Sequence, residues 1–564
     1  MAHAPRLDAY HFHEREWDSY DALLEWFEWE VPERFNAAAY CCDRWAAETP
    51  EAVAIRYVDE SGPVETLTYR ELDERARRLA GFLRERGVSA GDRVGVNCPQ
   101  RPETVLAHLA CWKLGATSVP LSTLFGPDGL GYRLDDARAV ACVVAGVNLD
   151  NYREAREGVE GLETTVVVDG DPTDGEWSFQ AALDEGDGTV ETADTAAEDE
   201  SILIYTSGTT GDPKGVRHAH RLILGNLPLF LTSFCDVDLR ADDTFWTPAE
   251  WAWVASLFDV VFPSLYYGRE LVASRSDGPF EPASAFDVIE RTGVTRYFAP
   301  PTALRMMMQV DGDYGVESVR TVASGGESLG GSIVDWAAEV FDGAAVHEGY
   351  GQTEANMLAG DCTALTPFVE GTIGRRAPGH DIAIVDPETA EPTVPTGETG
   401  EIAVRYEGNP VCFLEYWNRP EKTERKVRNG WLLTEDLGRM DEDGYLTFVG
   451  RTDDVIISAG YRIGPEEVED SVATHPAVAD AAVIGVPDEE RGEIPKAFVV
   501  LAAGEEPSDS LTEAIQQHVR DRLAKYEYPR AVEYVAELPK TTTGKVRRAS
   551  LREREDERSE SSRR

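Results

Sequence analysis

Apolar residues recur with two different periods between about residue 67 and residue 345, and this pattern predicts alternating helices and strands. Thr68 and Glu71 have the spacing of a capping box at the start of a helix. Apolar residues then recur at helical spacing as far as Gly87, at Leu72, Ala76, Leu79 and Leu83. A strand-like run, residues 93–97, precedes a second helical segment that begins with proline, residues 102–114. The alternation predicts parallel sheets covered by helices.

After about residue 380 the pattern changes to short strands separated by turns, at residues 381–385, 400–405 and 445–449. A compact α+β unit follows from about Arg451, with helices predicted at residues 465–473 and 511–523 and strands at 479–486 and 497–501. The sequence therefore predicts an α/β protein. Its large N-terminal domain contains helix-covered mixed or parallel sheets and a short-stranded subdomain, and its C-terminal domain is small and α+β. The acidic turn flanked by Arg451 and Arg462 at the boundary is typical of a hinge, so we expect the small domain to be mobile. We place the boundaries at 1–36 for an N-terminal arm, 37–451, 452–551, and 552–564 for a disordered tail. Residues 170–200 read as an exposed acidic loop.

The chain has 564 residues, too many for a single core, and 42% of them are hydrophobic, as in ordinary globular proteins. Its formal net charge of −49 is far from ordinary, and the acidic residues are spread along the whole chain. The electrostatic field of so negative a protein repels nucleic acid and anionic membranes, so we expect neither as a partner. This acidity is typical of a halophilic protein that stays hydrated in high salt; the alternative is an ordinary acidic cytosolic protein.

The eight cysteines show neither metal-ligand spacing nor a disulfide-like framework, so we expect them to be reduced and buried. The N-terminus lacks the apolar segment of a signal peptide. The most apolar stretch, residues 251–267, is broken by Asp259 and Pro263 and is too short to span a bilayer. These observations predict a cytoplasmic protein without membrane insertion, and no oligomeric state follows from them.

The segment from Tyr205 to Gly215 is the strongest candidate for chemistry. It follows an apolar run, residues 202–204, and combines hydroxyls, glycines and a lysine, at Thr206, Ser207, Gly208, Thr209, Thr210, Gly211 and Lys214. Glycines allow backbone N–H groups to converge on an anion, and hydroxyls and a lysine add further donors. The pattern predicts a polyphosphate site. It is not a Walker loop, because no Gly-Lys-Ser/Thr closes it, and a flexible linker is the alternative.

Three further segments carry polar residues in suggestive places. Residues 348–354 follow a predicted strand, and Glu354 beside Thr353 is suited to hold Mg²⁺; a tight loop with a solvated glutamate is the alternative. Asp436, between apolar residues, is suited to accept the hydroxyls of a ribose, although a turn-capping aspartate fits equally well. Lys545, which follows Thr-Gly, is a candidate mobile cation, unless it belongs to a solvated basic tail.

Together and in this order, the motifs resemble those of the adenylate-forming superfamily, over roughly residues 40–550, and are most similar to acyl-CoA synthetases of the medium-chain type. The resemblance implies an enzyme that joins a carboxylate to ATP, releases pyrophosphate, and passes the acyl group from acyl-AMP to the thiol of coenzyme A. The implied ligands are ATP, Mg²⁺, coenzyme A and a small carboxylic acid.

The resemblance also implies roles for individual residues. Residues 206–214 would grip the β- and γ-phosphates, and the adenine and acyl pocket would be lined by Gly325, Gly326, Glu327, Glu348, Gly349, Tyr350, Gly351 and Gln352. Thr353 would contact the α-phosphate, while Glu354 and Thr210 would hold the metal. Asp436 and Arg451 would bind the ribose, and Lys545 would bridge the attacking carboxylate and the α-phosphate.

For the second step, the resemblance implies rotation of the C-terminal domain about a hinge at Asp453. The coenzyme A candidates are Ser458, Gly460, Arg462, Arg491 and Lys525. Trp251, Trp253 and Gly351 are expected in the acyl pocket, although the two tryptophans fit equally well as core aromatics. Glycine in place of the tryptophan of acetate-specific relatives predicts a longer chain. Alternatives are an aryl, short or branched-chain acid ligase, an acetate ligase, an adenylation module and a non-catalytic acyl-nucleotide binder.

Overall fold

The structure is a computed structural model. It describes residues 4–59, 63–206, 213–275, 280–310, 312, 314–327, 329–452, 454, 456–458, 461–488, 491–523, 528–540 and 545–562. Within these residues the strands form two large mixed sheets, a short-stranded antiparallel sheet, and a smaller sheet near the C-terminus. This is the predicted α/β architecture with a large N-terminal part and a smaller α+β C-terminal part.

The first large sheet is parallel in its middle and antiparallel at both ends. Its strands, in spatial order, are Arg375–Arg376, Asn356–Gly360, Ala345–Gln352, Thr321–Gly325, Arg296–Phe298, Thr244–Trp246, Glu270–Ser274, Val53–Val58 and Val64–Thr68. The second large sheet is parallel except at one end. Its strands are Glu415–Tyr416, Lys214–Ala219, Glu200–Thr206, Thr117–Pro120, Arg93–Asn97, Ala139–Ala145, Thr164–Val168 and Glu176–Ser178.

The short-stranded sheet is antiparallel and carries Asp436 and Arg451 on two paired strands. Its strands are Ile382–Val385, Gly400–Arg405, Trp431–Met440 and Val427–Arg428, with Leu446–Arg451 paired to Trp431–Met440. The C-terminal sheet contains Tyr461–Ile463, Ile456–Ser458, Gly492–Leu501 and Val478–Asp488, with Ala531–Tyr534 paired to Gly492–Leu501.

Helices pack against these sheets. The α-helices are Tyr20–Trp26, Arg44–Glu48, Tyr69–Glu85, Pro102–Leu114, Pro127–Asp136, Leu149–Arg156, Phe179–Glu185, Leu222–Leu229, Val254–Ser256, Phe262–Tyr266, Pro282–Thr292, Pro301–Met307, Gly331–Val340, Pro420–Lys426, Pro465–Ala473, Asp509–Arg520 and Arg548–Ser562. Short 3₁₀-helices lie at Asp8–Glu14 and Gly146–Asn148, and π-helical turns at Ala39–Asp43, Phe230–Phe234 and Leu257–Val261.

Local signals in the sequence predicted several of these elements closely. The helix Tyr69–Glu85 begins with the expected reciprocal capping box between Thr68 and Glu71. The helix Pro102–Leu114 has the predicted bounds and ends at Gly115, whose positive φ of 71° suits glycine. Strong local signals therefore position the helices on which the rest of the fold packs.

Two segments differ from expectation. Residues 170–200 are not one exposed loop, because they contain the strand Glu176–Ser178 and the helix Phe179–Glu185, whose apolar face is buried. The tail expected to be disordered continues the helix Arg548–Ser562. There Leu551 is buried, and Arg552 forms an ion pair with Asp454 at 2.6 Å. Partners distant in sequence thus order a segment whose composition alone predicts disorder.

The N-terminal arm packs into the core. Tyr10 is buried, the Tyr20 hydroxyl donates to the carbonyl of Arg376 at 2.9 Å, and the Trp29 indole N–H donates to the carbonyl of Gly379 at 2.8 Å. These bonds join the first residues of the chain to a segment about 350 residues later.

A buried lysine, Lys113, forms ion pairs with aspartates from two other segments of the N-terminal part. Lys113 has no exposed side-chain surface, and its Nζ contacts the carboxylate of Asp43 and lies 2.7 Å from that of Asp73. Cys42 and these two aspartates are close enough to form a metal-ligand cluster. The ammonium of Lys113 already supplies the positive charge there, so the cluster is a structural ion network.

Candidate active site

Most of the predicted site residues that the structure describes line one large cleft, with a volume of about 2640 Å³. Its walls come from the first large sheet, the hairpin of the second sheet, the short-stranded sheet and the C-terminal unit. Residues as far apart in the sequence as Thr206 and Lys545 therefore line one cleft.

The candidate phosphate loop joins two antiparallel strands, Glu200–Thr206 and Lys214–Ala219, whose register pairs Thr206 with Lys214. Both residues line the cleft. The loop itself, including Ser207, Gly208, Thr209, Thr210 and Gly211, lies outside the described residues. The strand pair fixes where the loop leaves and re-enters the sheet, at the edge of the cleft.

Lys214, Tyr416 and Glu354 form a connected group at this edge. The Lys214 ammonium donates to the Tyr416 hydroxyl at 3.0 Å, and that hydroxyl donates to a Glu354 carboxylate oxygen. Lys214 Nζ lies 3.8 Å from the same oxygen. Burial alone would raise the pKa of Glu354, but Lys426, Lys214 and the Tyr416 hydrogen bond lower it below its usual value. Glu354 is therefore held as a carboxylate in a buried position.

The strand Ala345–Gln352 extends further than predicted, through residues expected to form a loop. Glu348 lies within it and accepts a hydrogen bond from the backbone N–H of Leu329 at 3.1 Å. Burial raises the pKa of Glu348 to about 8. The strand's continued pairing with Asn356–Gly360 presents residues 348–352 along one wall of the cleft.

Asp436 and Arg451 face each other across paired strands, and their side chains lie 3.4 Å apart. The Tyr350 hydroxyl donates to the other oxygen of Asp436 at 2.7 Å. Burial raises the pKa of Asp436, although Arg451 and the Tyr350 hydrogen bond oppose the rise. The arrangement offers a carboxylate and a guanidinium side by side in the cleft wall, which suits recognition of neighbouring hydroxyls.

The segment after the strand Thr321–Gly325 approaches the C-terminal unit. Gly326 has a positive φ of 93°, and a Cβ added there would lie 3.7 Å from Cε and 3.8 Å from Nζ of Lys545. Glu327 accepts a hydrogen bond from the Thr302 hydroxyl at 3.1 Å. The lysine from the far end of the chain thus lies over the expected nucleotide pocket, and it contributes positive potential at Asp436.

One expectation about the acyl pocket, the placement of Trp251, needs correction. Trp251 is 1% exposed and belongs to the core rather than to the cleft, whereas Trp253 lines the cleft. Gly351 lines the cleft too, but a Cβ there would lie 2.3 Å from the carbonyl oxygen of Asn356. Close strand packing therefore requires glycine at this position, independently of any acyl chain.

The coenzyme A candidates are not gathered in the cleft. Ser458 is buried in the strand Ile456–Ser458, and Arg491 lies beside the strand Gly492–Leu501; neither lines the cleft. Arg462 is in the strand Tyr461–Ile463, but its side chain lies outside the described part of the chain, as do Gly460, Lys525 and the hinge candidate Asp453.

Sequence reasoning missed two residues of this site, Tyr416 and Lys426. Lys426 is only 4% exposed, donates to the carbonyl of Thr434 at 3.3 Å, and lies 3.7 Å from Glu435. Glu435 is also 3.4 Å from Arg451, so its charge is shared between two cations. The scarcity of lysine in the sequence was the available signal for Lys426, whereas nothing in the sequence marks Tyr416.

The family to which this site belongs follows from comparison with known proteins. A model of the AMP-binding enzyme family matches residues 42–417, and a model of the AMP-binding enzyme C-terminal domain matches residues 467–545. The chain belongs to this family. It is an AMP-forming acid–CoA ligase, an acyl-CoA synthetase that acts on a carboxylic acid, ATP and coenzyme A.

Curated relatives match the acyl-CoA synthetase along nearly its whole length. The uncharacterized acyl-CoA ligase YtcI of Bacillus subtilis is 34% identical over 519 residues, which cover 90% of this chain and 94% of the relative. The mitochondrial acyl-coenzyme A synthetase ACSM4 of Rattus norvegicus is 35% identical over 538 residues, covering 93% of this chain and 91% of the relative.

Solved structures show the same architecture as this synthetase. The anthranilate CoA ligase AuaEII in complex with anthranoyl-AMP is 29% identical with a TM-score of 0.84, over 93% of this chain and 98% of that one. The acyl-CoA synthetase of Brucella canis is 33% identical with a TM-score of 0.72, over 96% and 100%. None of the helices in the part of the chain that the structure describes has the length and hydrophobicity needed to cross a bilayer.

Proposed function

We propose that this synthetase activates medium-chain carboxylic acids in two steps. A carboxylate first attacks the α-phosphate of ATP, giving acyl-AMP and pyrophosphate, and the coenzyme A thiol then displaces AMP. The observation that carries the proposal is the position of Lys545 over Gly326, in the cleft that also contains Asp436, Arg451 and Lys214. A cation from the C-terminal unit thus meets the nucleotide-binding wall of the N-terminal part.

The first step brings one anion to another, and negative charge grows on the phosphoryl oxygens as the bond forms. Lys545 stabilises that charge more in the transition state than in the ground state. Asp436 and Arg451 hold the ribose hydroxyls, and Lys214 with the loop that precedes it binds the departing pyrophosphate. Thr353 contacts the α-phosphate and so fixes the direction of attack, while the glycines and the strand at 348–352 flank the adenine.

Glu354 fits the role of a magnesium ligand. It is buried and held ionised by neighbouring cations, and Mg²⁺ prefers hard carboxylate oxygens together with phosphate oxygens. We propose that Glu354, with Thr210, binds the Mg²⁺ that accompanies ATP. The metal would neutralise part of the phosphate charge.

For the second step we propose a rotation of residues 452–551 relative to residues 37–451, about Asp453. Lys545 would leave the cleft, and Ser458, Gly460 and Arg462 would approach it. Arg491 and Lys525 are proposed contacts to the phosphates of coenzyme A. Ser458 and Arg491 do not line the cleft in this structure. This supports two arrangements of the C-terminal domain, one for each step, because residues that act only in the second step are expected in the cleft only then.

The chain length of the acid is proposed from the lining of the cleft. Trp253, Phe234 and Phe298 offer apolar walls that favour an alkyl chain by about 0.8 kcal/mol for each buried CH₂. An aryl acid is a second candidate, supported by these aromatic walls and by the structural likeness to an anthranilate CoA ligase. Acetate gains least from such a pocket.

The deciding experiment is a single-turnover assay with ATP and a panel of linear acids from acetate to decanoate, benzoate and branched acids. Pyrophosphate release without coenzyme A, and AMP release on its addition, are expected to peak at intermediate chain length. If no acid of the panel releases pyrophosphate, the proposed two-step activation of these acids is wrong. If acetate or benzoate is used best, the medium-chain assignment is wrong.

Salt dependence and location complete the proposal. With a net charge of −49, activity is expected to rise with salt up to molar concentrations, since counterions screen the repulsion between carboxylates. We place the protein in the cytoplasm, which agrees with eight cysteines that are all buried and unpaired.

A further inference from the structure

Asp259 is a carboxylate in the wall of the cleft for which the proposed chemistry has no use. It lies in the π-helical turn Leu257–Val261, one turn after Val254 and Ala255, and lines the cleft with both of them. The residues that the structure describes offer it neither a hydrogen bond nor an ion pair. Its helix therefore presents two apolar side chains and one unpaired acidic one to the same space.

Aromatic side chains line the same cleft as Asp259. Phe234 and Phe298 line the cleft as a stacked pair with ring centroids 5.2 Å apart, and Trp253 packs edge-to-face on Phe125 at 6.1 Å. Burial raises the pKa of Asp259 well above its ordinary value. Asp259 is partly exposed, on the side that faces the cleft. A carboxyl that is partly removed from water and has no partner is costly, so a wall that served only alkyl chains would be more stable with leucine at this position.

The aromatic pair Phe234 and Phe298 lies next to the strand expected to flank the nucleotide. A Cβ added to Gly349 would lie 4.0 Å from the ring of Phe234, so the aromatic pair begins directly behind the strand that carries Glu348. A substrate whose carboxylate lies near Lys545 would extend its far end past Gly349 toward the aromatic pair, within the cleft that Asp259 also lines. This geometry rests on the proposed function, namely that the cleft forms acyl-adenylates.

We propose that Asp259 is a specificity-determining residue that selects carboxylic acids bearing a hydrogen-bond donor, a hydroxyl or an amino group, at the far end of the chain. A donor supplies the partner that the protein does not. An alkyl end of the same length leaves the carboxyl unpaired and desolvated. Sites built to bond a substrate hydroxyl or amine discriminate strongly against the analogue that lacks it, because their own polar group is then left without a partner.

The test compares acids that differ only in their last heavy atom. In 6-hydroxyhexanoate, 6-aminohexanoate and heptanoate the terminal group is a hydroxyl, an amine or a methyl on a chain of the same length, and the same triplets are made one and two carbons shorter and longer. The measured quantity is kcat/KM for acid-dependent pyrophosphate release. We expect the wild-type enzyme to prefer one of the donor acids over its methyl analogue by about 10- to 100-fold at the best length.

Replacement of the carboxyl should reverse that preference. In Asp259→Leu the methyl acid is expected to become the better substrate, and Asp259→Ala should lose the preference without the added bulk. Asp150→Leu is the matched control, since it makes the same change of charge at a fully exposed aspartate away from the cleft, and it should keep the wild-type preference. Because the variants remove an unpaired carboxyl, their thermal midpoints are expected to equal or exceed that of the wild-type enzyme.

The outcomes distinguish failure of the proposed acyl-adenylate chemistry from failure of the proposed role of Asp259. If no acid releases pyrophosphate, the proposed function fails and the inference falls with it. If the wild-type enzyme uses methyl and donor acids equally at every length, or if Asp259→Ala keeps the preference, Asp259 does not select the substrate, although the acyl-adenylate chemistry stands. A preference that disappears in both variants and persists in the control supports the inference.

Discussion

The hydroxyl of Tyr416 offers a sharp test of the site, because it joins the two charged groups proposed to handle the phosphates and the metal. It accepts from Lys214 at 3.0 Å and donates to Glu354. Tyr416→Phe removes both hydrogen bonds and leaves the ring in place. A hydrogen bond to a charged group contributes about 1.5–3 kcal/mol, but Lys214 and Glu354 are only 3.8 Å apart and regain part of this by direct pairing. We therefore expect a net loss of roughly 1.4–2.8 kcal/mol in transition-state stabilisation, or about 10- to 100-fold in kcat/KM for ATP.

The assay is ATP–pyrophosphate exchange at saturating acid, followed as a function of ATP concentration and pH. The Tyr416 hydrogen bond helps to lower the pKa of Glu354, so its loss raises that pKa and moves the acidic limb of the pH profile to higher pH. Tyr406→Phe is the control, because among the described residues the Tyr406 hydroxyl donates to backbone carbonyls, those of Phe413 and Leu414, at 3.1 and 3.2 Å. A change of less than about threefold in Tyr416→Phe, with an unshifted acidic limb, would refute the proposed role.

Three further predictions concern other parts of the molecule. Lys545→Ala should slow ATP–pyrophosphate exchange by about 10²-fold or more while sparing thioester formation from synthetic acyl-AMP and coenzyme A; equal losses in both assays would contradict its proposed role in adenylation. Lys113→Met removes the fully buried cation beside Asp43 and Asp73 but leaves Arg77, 3.6 and 2.7 Å from them, as an ion-pair partner. It should therefore lower the free energy of unfolding by up to about 3–5 kcal/mol in urea titrations, whereas an unchanged midpoint would show that the network is dispensable. Burial raises the pKa of Glu348 from about 4.3 in the unfolded chain to about 8, so the folded state binds the extra proton and stability falls as pH rises through that window. Glu348→Gln should flatten this fall, by up to about 1.4 kcal/mol for each pH unit, in unfolding curves at pH 5 and 8.5.

Local chemistry explains which parts of the fold could be predicted. The helix Pro102–Leu114 is bounded by a proline at its first turn and a left-handed Gly115, and both signals are readable in the sequence. The strand Ala345–Gln352 was expected to end at His347, because its alternating glycines are typical of a loop. Pairing with Asn356–Gly360 keeps it extended, and that pairing depends on tertiary structure.

Some residues of the candidate site could also be predicted from the sequence, whereas others could not. Asp436 and Arg451 stand in motifs whose order along the chain points to a known family, and the structure brings their side chains together. Tyr416 contacts Lys214 across 202 positions of sequence, so no motif could include both. Asp259 was noted in the sequence only as an interruption of an apolar stretch, and its significance comes from the unpaired position that the fold gives it.

The hydrogen bonds of the N-terminal arm also determine how late in synthesis the arm can dock, because its partners are made much later. Tyr20 is separated by 356 positions from Arg376, whose carbonyl accepts its hydroxyl. At translation rates of about 5–20 residues per second, the arm leaves the ribosome roughly 20–70 seconds before its docking surface exists. During that interval its tyrosines, tryptophans and phenylalanines are available to chaperones, so this enzyme's first segment is expected to be among the last to reach its native position.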